Sequence, residues 1–184
     1  HLHHMIEAYF NDGKDHGVQI KYSLEKQALG TAGPLGLIME QLEEHFLVLN
    51  GDLLTTLNFD RLFNAHLSED SAATIATYSR TVDIDFGVVE LDENSELSDF
   101  KEKPSFEYKV SMGINVLCKK SVQAIISPGS YLDIPDLMMM LKRARKKVYC
   151  YEEKCEWLDI GRVDDYAVAN DVFETKKSQF LPSS

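Results

Sequence analysis

The feature that most constrains the fold is a short apolar run that stops abruptly on turn residues. Residues 46–49 read Phe-Leu-Val-Leu and are followed directly by Asn50, Gly51 and Asp52. A continuous run of large apolar residues bounded by turn residues is typical of a buried strand. In open α/β sheets the ligand crevice lies beyond the carboxyl ends of such strands, so Asp52 is predicted to hold a divalent cation against a phosphate. A Gly-Asp turn without a ligand explains the same residues.

The rest of the chain alternates strand and helix patterns up to residue 78, which indicates βαβ units around a mostly parallel sheet. The predicted strands lie at 18–22, 46–50, 72–78, 87–91, 97–101, 110–117 and 148–152. Two predicted helices end near Asn11–Gly13 and near Leu42. The others cover 57–67, 121–126, 134–145 and 163–175. We therefore predict one α/β domain over residues 1–184, with a Rossmann-like mixed, mostly parallel sheet flanked by helices.

Composition excludes several classes of protein. The net charge of −11 argues against sequence-independent nucleic-acid binding, which needs a basic surface. No apolar run approaches the roughly 18 residues of a membrane span, and no signal peptide is visible. Cys118, Cys150 and Cys155 are odd in number and form no Cys-x-x-Cys pair, which favours reduced thiols and a cytoplasmic protein.

Residues 29–33 read Leu-Gly-Thr-Ala-Gly and precede a predicted helix. The unpaired N–H groups of a helix N-terminus attract phosphates, and glycine lets a ligand lie against the backbone. A helix capped by Thr31, with no ligand, explains the segment equally well.

Two later segments also carry polar groups at the ends of predicted strands. In Phe-Lys-Glu-Lys-Pro at 100–104, a carboxylate could accept sugar hydroxyls beside an ammonium that meets a phosphate, although a charged edge strand has the same pattern. Asp159 follows an aromatic strand and could complete a Mg²⁺ site with Asp52, or could simply cap a helix or form a turn.

The order of these motifs resembles the sugar-1-phosphate nucleotidyltransferase family, in particular mannose-1-phosphate guanylyltransferase-like enzymes and related hexose- or heptose-1-phosphate enzymes. The resemblance extends from about His4 to Phe173. It rests on Leu-Gly-Thr-Ala-Gly at 29–33, Asn-Gly-Asp at 50–52, Phe-Gly-Val-Val at 86–89, Glu-Lys-Pro at 102–104, Met-Gly-Ile-Asn-Val-Leu at 112–117 and Trp-Leu-Asp-Ile-Gly-Arg at 157–162.

The resemblance implies the fold of the nucleotide-diphospho-sugar transferases and a reaction that joins a nucleoside triphosphate, GTP being favoured, to a sugar-1-phosphate with release of pyrophosphate. It also implies Mg²⁺ as cofactor and catalytic roles for Asp52, Lys103 and Asp159, of which the two aspartates would bind the metal. The remaining implied contacts are with the nucleotide (Leu29, Gly30, Thr31, Gly51) and with the sugar phosphate (Gly87, Glu102, Lys103, Gly113).

The chain also departs from the family pattern. The glycine-rich phosphate loop with its Arg, and the Pro-Lys-Pro segment after it, are not found in these 184 residues. We therefore expect the chain to be the later part of a nucleotidyltransferase catalytic domain, with the N-terminal part missing, and to be inactive as given. Ser111 also stands where the family often has Asn, which weakens one expected sugar contact.

Two other interpretations stay open. A non-catalytic regulatory module on the same fold could bind a sugar nucleotide, which the missing loop favours and the two aspartates disfavour. A glycosyltransferase would use an Asp-x-Asp pair, and Asp83 and Asp85 have that spacing. The sequence leaves the oligomeric state open, so that a homo-oligomer is allowed.

Overall fold

The computed structural model describes residues 3–161 and 163–181, without the side chains of residues 163 and 164. The chain divides into two compact units. The first combines His1–Glu44 with Lys119–Arg145, and the second combines His45–Cys118 with Lys146–Ser184.

The second unit is built on a four-stranded sheet with strand order β1-β6-β3-β7. These strands are β1 (His45–Leu49), β3 (Ala73–Asp83), β6 (Ser105–Cys118) and β7 (Val148–Glu152). β3 and β7 pair in parallel, whereas β6 is antiparallel to both β1 and β3. Three of the four strands therefore run in the same direction, which confirms the predicted mixed, mostly parallel sheet.

Two further strand pairs lie in the second unit. β2 (Leu53–Thr55) pairs antiparallel with β8 (Trp157–Asp159), and β4 (Val88–Leu91) pairs antiparallel with β5 (Leu97–Lys101). The first pair follows Asp52 directly and ends at Asp159, so it sets the distance between the two predicted metal ligands.

The helix α3 (Phe59–Ser68) covers one face of the sheet. Asn58 caps it by accepting a hydrogen bond from Arg61 N at 2.9 Å. Fully buried Leu62 packs in a core of the second unit against Ala76 of β3 and against Ile114 and Val116 of β6, which are fully buried too. The helical spacing predicts that Phe59, Leu62, Phe63 and Leu67 face inward, but Phe59 and Leu67 are exposed. His66 takes the buried place one turn after Leu62.

His66 is a buried polar residue with both ring nitrogens engaged. Its Nε2 lies 2.9 Å from Nδ1 of His45, and its Nδ1 lies 2.9 Å from Oγ1 of Thr74. Burial lowers the pKa of His66 to about 4, and the neighbouring His45 acts on it in the same direction. The pair joins the start of β1 to α3 and β3 through neutral hydrogen bonds.

The first unit is mainly helical. Its helices are α1 (His3–Phe10), α2 (Leu35–Ile38), α4 (Lys119–Gln123) and α5 (Ile134–Arg143), with 3₁₀ turns at Lys14–His16 and Met39–Gln41. The last helix of the chain, α6 (Val163–Phe180), belongs to the second unit. Among the described residues, no helix is long and apolar enough to cross a bilayer.

The strand predicted at residues 18–22 is wrong. This segment is irregular, and Ile20 N donates to the carbonyl of Asp12 at 2.9 Å rather than to a neighbouring strand. Alternation of apolar and polar residues shows only that a segment has two unlike faces, and it cannot supply the partner that a strand needs. The other predicted strands and helices are present, with ends shifted by a few residues and with β3 and β6 longer than expected.

Candidate active site

Asp52 and Asp159 come together because β2 and β8 pair next to them. Leu53 is the register partner of Asp159, and Ile160 N donates to the carbonyl of Asp52 at 2.9 Å. Gly161 lies between the two side chains. A Cβ added there would be 3.1 Å from Asp159 Oδ1 and 3.3 Å from Asp52 Oδ2. Both carboxylates thus border the same small space, which the glycine leaves open.

These two carboxylates fit a metal that is bound together with a substrate. The described residues contain no group of three or more His, Cys, Asp or Glu side chains that could hold a metal by themselves. Mg²⁺ commonly takes one or two carboxylates and completes its shell with phosphate oxygens and water. Asp159 is also oriented by its own loop, since its Oδ1 accepts a hydrogen bond from Gly161 N at 3.0 Å. Metal binding itself stays a prediction.

A cavity of about 740 Å³ opens beside the two aspartates. Its lining includes Tyr78 and Arg80 from β3, Trp157 from β8, and Asp165 from α6. The rings of Tyr78 and Trp157 lie 5.5 Å apart, and Trp157 Nε1 donates to the carbonyl of Met112 at 3.1 Å. The cavity therefore combines an anchored aromatic wall with carboxylates and a guanidinium.

Sequence reasoning missed Tyr78, Arg80 and Asp165. Tyr78 and Arg80 share one face of β3, since residues two apart on a strand point to the same side, but the strand was predicted to end at 78 and Arg80 lies beyond that end. Nothing in the local sequence indicates that this strand passes close to Asp52.

The predicted nucleotide-binding residues Leu29, Gly30 and Thr31 belong to the first unit. Leu29 is buried, and Gly30 has a φ of +76°, with its would-be Cβ only 2.6 Å from the carbonyl oxygen of Leu132. Close approach of two backbone segments therefore requires a glycine here.

Thr31 links its loop to the start of α5. Its N–H donates to Asp133 Oδ1 at 2.9 Å, and its hydroxyl donates to the same oxygen at 3.2 Å. The hydroxyl also accepts the Ile134 N–H at 2.8 Å. Hydrogen bonds from the Tyr131 hydroxyl and from Thr31 hold the pKa of Asp133 below its usual range. Thr31 thus caps a helix far along the chain, while its contact with a nucleotide stays a prediction.

Two of the predicted sugar-phosphate residues meet at the β4–β5 pair. A Cβ on Gly87 would lie 2.5 Å from the ring of Phe100 and 3.1 Å from Glu102 Oε2, so a side chain at position 87 would displace the exposed Phe100 ring and crowd this carboxylate. Lys103 follows in an exposed turn with a φ of +44°. None of the three predicted residues is among the described residues that line the cavity at Asp52.

The other two predicted glycines have different surroundings. Gly113 lies in a bulge of β6 with a φ of +73°, and a Cβ there would be 2.7 Å from Nδ2 of Asn50. Gly51 is exposed, and a Cβ there would meet none of the described atoms within 4 Å. Gly113 is thus required by local packing, whereas Gly51 leaves an open surface next to Asp52.

Comparison with solved structures places the fold. The chain matches a putative glucose-1-phosphate thymidylyltransferase from Bacillus anthracis with a TM-score of 0.66 and 22% identity, over 91% of this chain and 70% of that one. The fold is therefore that of the nucleotidyltransferases. The Nucleotidyl transferase family model matches residues 1–176, so the chain belongs to that family.

The relatives confirm the resemblance to sugar-1-phosphate enzymes. The chain is 35% identical to a UTP–glucose-1-phosphate uridylyltransferase of Synechocystis, over 90% of this chain and 47% of the relative. It is 28% identical to a D-glycero-alpha-D-manno-heptose 1-phosphate guanylyltransferase of Aneurinibacillus thermoaerophilus, over 91% of this chain and 72% of the relative. It is 26% identical to a mannose-1-phosphate guanyltransferase of Candida albicans, over 92% of this chain and 48% of the relative. The chain thus spans about half the length of two of these three relatives.

Proposed function

We propose that this chain carries the metal-binding and sugar-binding part of a cytoplasmic enzyme that joins a nucleoside triphosphate, GTP being favoured, to a hexose- or heptose-1-phosphate, such as mannose-1-phosphate. The products are a nucleoside diphosphate sugar and pyrophosphate. One observation carries the proposal: the carboxylates of Asp52 and Asp159 border one space beside Gly161, at the edge of an open cavity. The family and its named relatives support the reaction class.

In this proposal Asp52 and Asp159 hold Mg²⁺, which neutralises phosphate charge and orients the reacting oxygens when it is bound. Glu102 accepts hydrogen bonds from sugar hydroxyls at the surface that Gly87 keeps open, and Lys103 pairs with the sugar phosphate. Gly113 borders the sugar. Contact with the nucleotide is assigned separately to Leu29, Gly30 and Thr31 in the first unit and to Gly51 in the second. The sugar phosphate oxygen attacks the α-phosphorus in line, so that the protein acts by positioning and charge neutralisation rather than through a covalent intermediate.

The test is a pyrophosphate-release assay on the full gene product with Mg²⁺, GTP or UTP, and mannose-1-phosphate or glucose-1-phosphate. Asp52→Asn and Asp159→Asn should each lower the rate about a hundredfold or more, because each removes a charge that supports the metal. Asp171→Asn is the matched control, since Asp171 is exposed on α6 and is not among the cavity-lining residues. Equal rates for all three variants would overturn the assignment, and a faster reaction with UTP would replace GTP in the proposal.

A further inference from the structure

Arg80 lies in the cavity of Asp52 and Asp159 without a role in the function proposed above. It follows Tyr78 by two residues on β3, and both line the cavity. Three carboxylates border the same space, those of Asp52, Asp159 and Asp165, and Arg80 is the single cation among the described lining residues. Three carboxylates and one guanidinium give this space a net negative charge, which would repel a phosphate unless a bound cation compensated it.

The guanidinium of Arg80 is not neutralised by those carboxylates. Among the described residues, none of the ion pairs within 4.0 Å involves Arg80. Other exposed cations of this unit do find partners: Arg61 pairs with Glu153 at 3.1 Å and Lys147 pairs with Glu69 at 2.6 Å. The register partner of Arg80 on β6 is Tyr108, which is not an acidic residue. In the described part of the chain, Arg80 therefore lines the cavity without a carboxylate partner.

We propose that Arg80 binds a phosphoryl group of the substrate in the cavity that it lines together with the two aspartates. The planar guanidinium can donate two parallel hydrogen bonds to phosphate oxygens, a geometry that a lysine cannot reproduce. Asp52 and Asp159 would hold Mg²⁺ in the same cavity, where the ion would neutralise further phosphate charge. This assignment rests on the proposed function, and it adds a cation that lines the cavity, which Lys103 does not.

The experiment measures binding by calorimetry to the full gene product in Mg²⁺, with glucose-1-phosphate and GTP as separate probes. Arg80→Gln should weaken binding of at least one probe by about tenfold to a hundredfold, the effect of losing hydrogen bonds to a charged group. Arg80→Lys should restore only part of the affinity. Arg61→Gln is the matched control, because it removes a surface arginine of the same unit outside this cavity.

The outcomes separate the two proposals. Loss for glucose-1-phosphate alone assigns Arg80 to the sugar phosphate, loss for GTP alone assigns it to the triphosphate, and loss for both assigns it to a phosphoryl position that both probes occupy. Arg80→Gln binding both probes as tightly as Arg61→Gln would overturn the role of Arg80 while leaving the proposed function standing. A wild-type protein that binds neither probe would overturn the proposed function, and the phosphoryl site with it.

A second measurement does not depend on folding of the neutral variant. In wild-type protein with ¹⁵N-labelled arginine, the Arg80 side-chain N–H signal can be assigned from its disappearance in Arg80→Lys. We expect this signal to shift on addition of the probe that Arg80 binds. No shift with either probe, in protein that calorimetry shows to bind, would overturn the proposal.

Discussion

Single residues decide how closely the charged groups approach one another. Gly161 leaves room between Asp52 and Asp159 because it has no side chain. A methyl group at this position would crowd both carboxylates. The imidazole of His66 is fully buried, at a position of the helix where an apolar residue such as leucine is more common. Each of these residues makes a measurable prediction.

Gly161→Ala should weaken Mg²⁺ binding by about tenfold, since displacement of groups that orient a metal ligand commonly costs tenfold to a hundredfold in affinity. The added Cβ would lie 3.1 Å and 3.3 Å from the two carboxylate oxygens, so one or both must move. A calorimetric Mg²⁺ titration of the full gene product with a bound sugar-1-phosphate measures the effect. An unchanged Mg²⁺ affinity would show that the two carboxylates do not share the ion.

The buried His66 should make the protein less stable in mild acid. Its pKa of about 4 lies below the ordinary value of 6.5, so between pH 6.5 and 4 the unfolded chain binds a proton that the folded chain does not. The stability contributed by neutral His66 is therefore present above pH 6.5 and is lost as the pH falls toward 4. The slope for one proton is at most about 1.4 kcal/mol per pH unit.

Urea unfolding between pH 7 and pH 4.5 measures this dependence. His66→Gln, which keeps hydrogen-bonding groups but does not titrate, should reduce the slope by most of one proton. His16→Gln is a suitable control, because His16 is exposed in a 3₁₀ turn of the first unit. Parallel pH profiles for wild type and His66→Gln would contradict the prediction.

Contacts at a strand bulge and at a helix N-terminus hold β6 and α5 in place. The bulge of β6 at Gly113 shifts the register against β3 between Ile75 and Thr77, and it brings the carbonyl of Gly113 within 2.9 Å of Asn50 N. The Thr31 hydroxyl joins its loop to the first turn of α5. Both contacts tie a motif of the sequence to a distant element.

Gly113→Ala should destabilise the protein by about 1–2 kcal/mol, because a φ of +73° is costly for a residue with a Cβ. The added Cβ would also lie 2.7 Å from Asn50 Nδ2. The double variant Asn50→Ala with Gly113→Ala should recover the part due to this clash but not the part due to φ. A free energy of unfolding equal to wild type for Gly113→Ala would show that the bulge relaxes.

Thr31→Val should destabilise the protein by about 1–2 kcal/mol, since it leaves the Ile134 N–H without its acceptor and removes a hydrogen bond to Asp133. Thr175→Val is the control. Within the described residues, the Thr175 hydroxyl donates to carbonyls of its own helix, at Asp171 and Val172, so that substitution should change stability little. Denaturant unfolding compares the two, and equal losses would remove the special role of Thr31.

For the molecule as a whole, the proposed reaction places several negative phosphate charges in one site, and Lys103 is the one cation that the motifs of these 184 residues assign to them. The sequence contains neither the glycine-rich loop with its Arg nor the Pro-Lys-Pro segment. Loss of one cation that stabilises a transferring phosphoryl group can cost about a thousandfold.

We therefore predict that the 184-residue chain shows no turnover in the pyrophosphate-release assay, while the full gene product does. The comparison uses equal protein concentrations, Mg²⁺ and the substrate panel described above. Comparable rates for the two proteins would show that another group replaces the loop, and Arg80 would then be the first residue to test.

Local sequence patterns predicted most of the elements, because periodicity and turn residues act within a few positions. The run at 46–49 became β1, and the aromatic segment before Asp159 became β8. The motifs at 50–52 and 157–162 also identified the two aspartates that meet beside Gly161. At 18–22 the same kind of local pattern failed, since no strand in the described part of the chain pairs with it.

What pairs with what depended on the folded chain. Three long-range relations could not be predicted from the local sequence. They are the place of β6 between β1 and β3, the presence of Arg80 in the cavity of the aspartates, and the hydrogen bond between Thr31 and Asp133, 102 positions away. A residue's own neighbours specify its backbone preference and its buried side, but not which distant segment will cover it. The sequence therefore predicted the metal-binding chemistry of Asp52 and Asp159. The cavity that these aspartates share with Arg80 exists only through long-range packing.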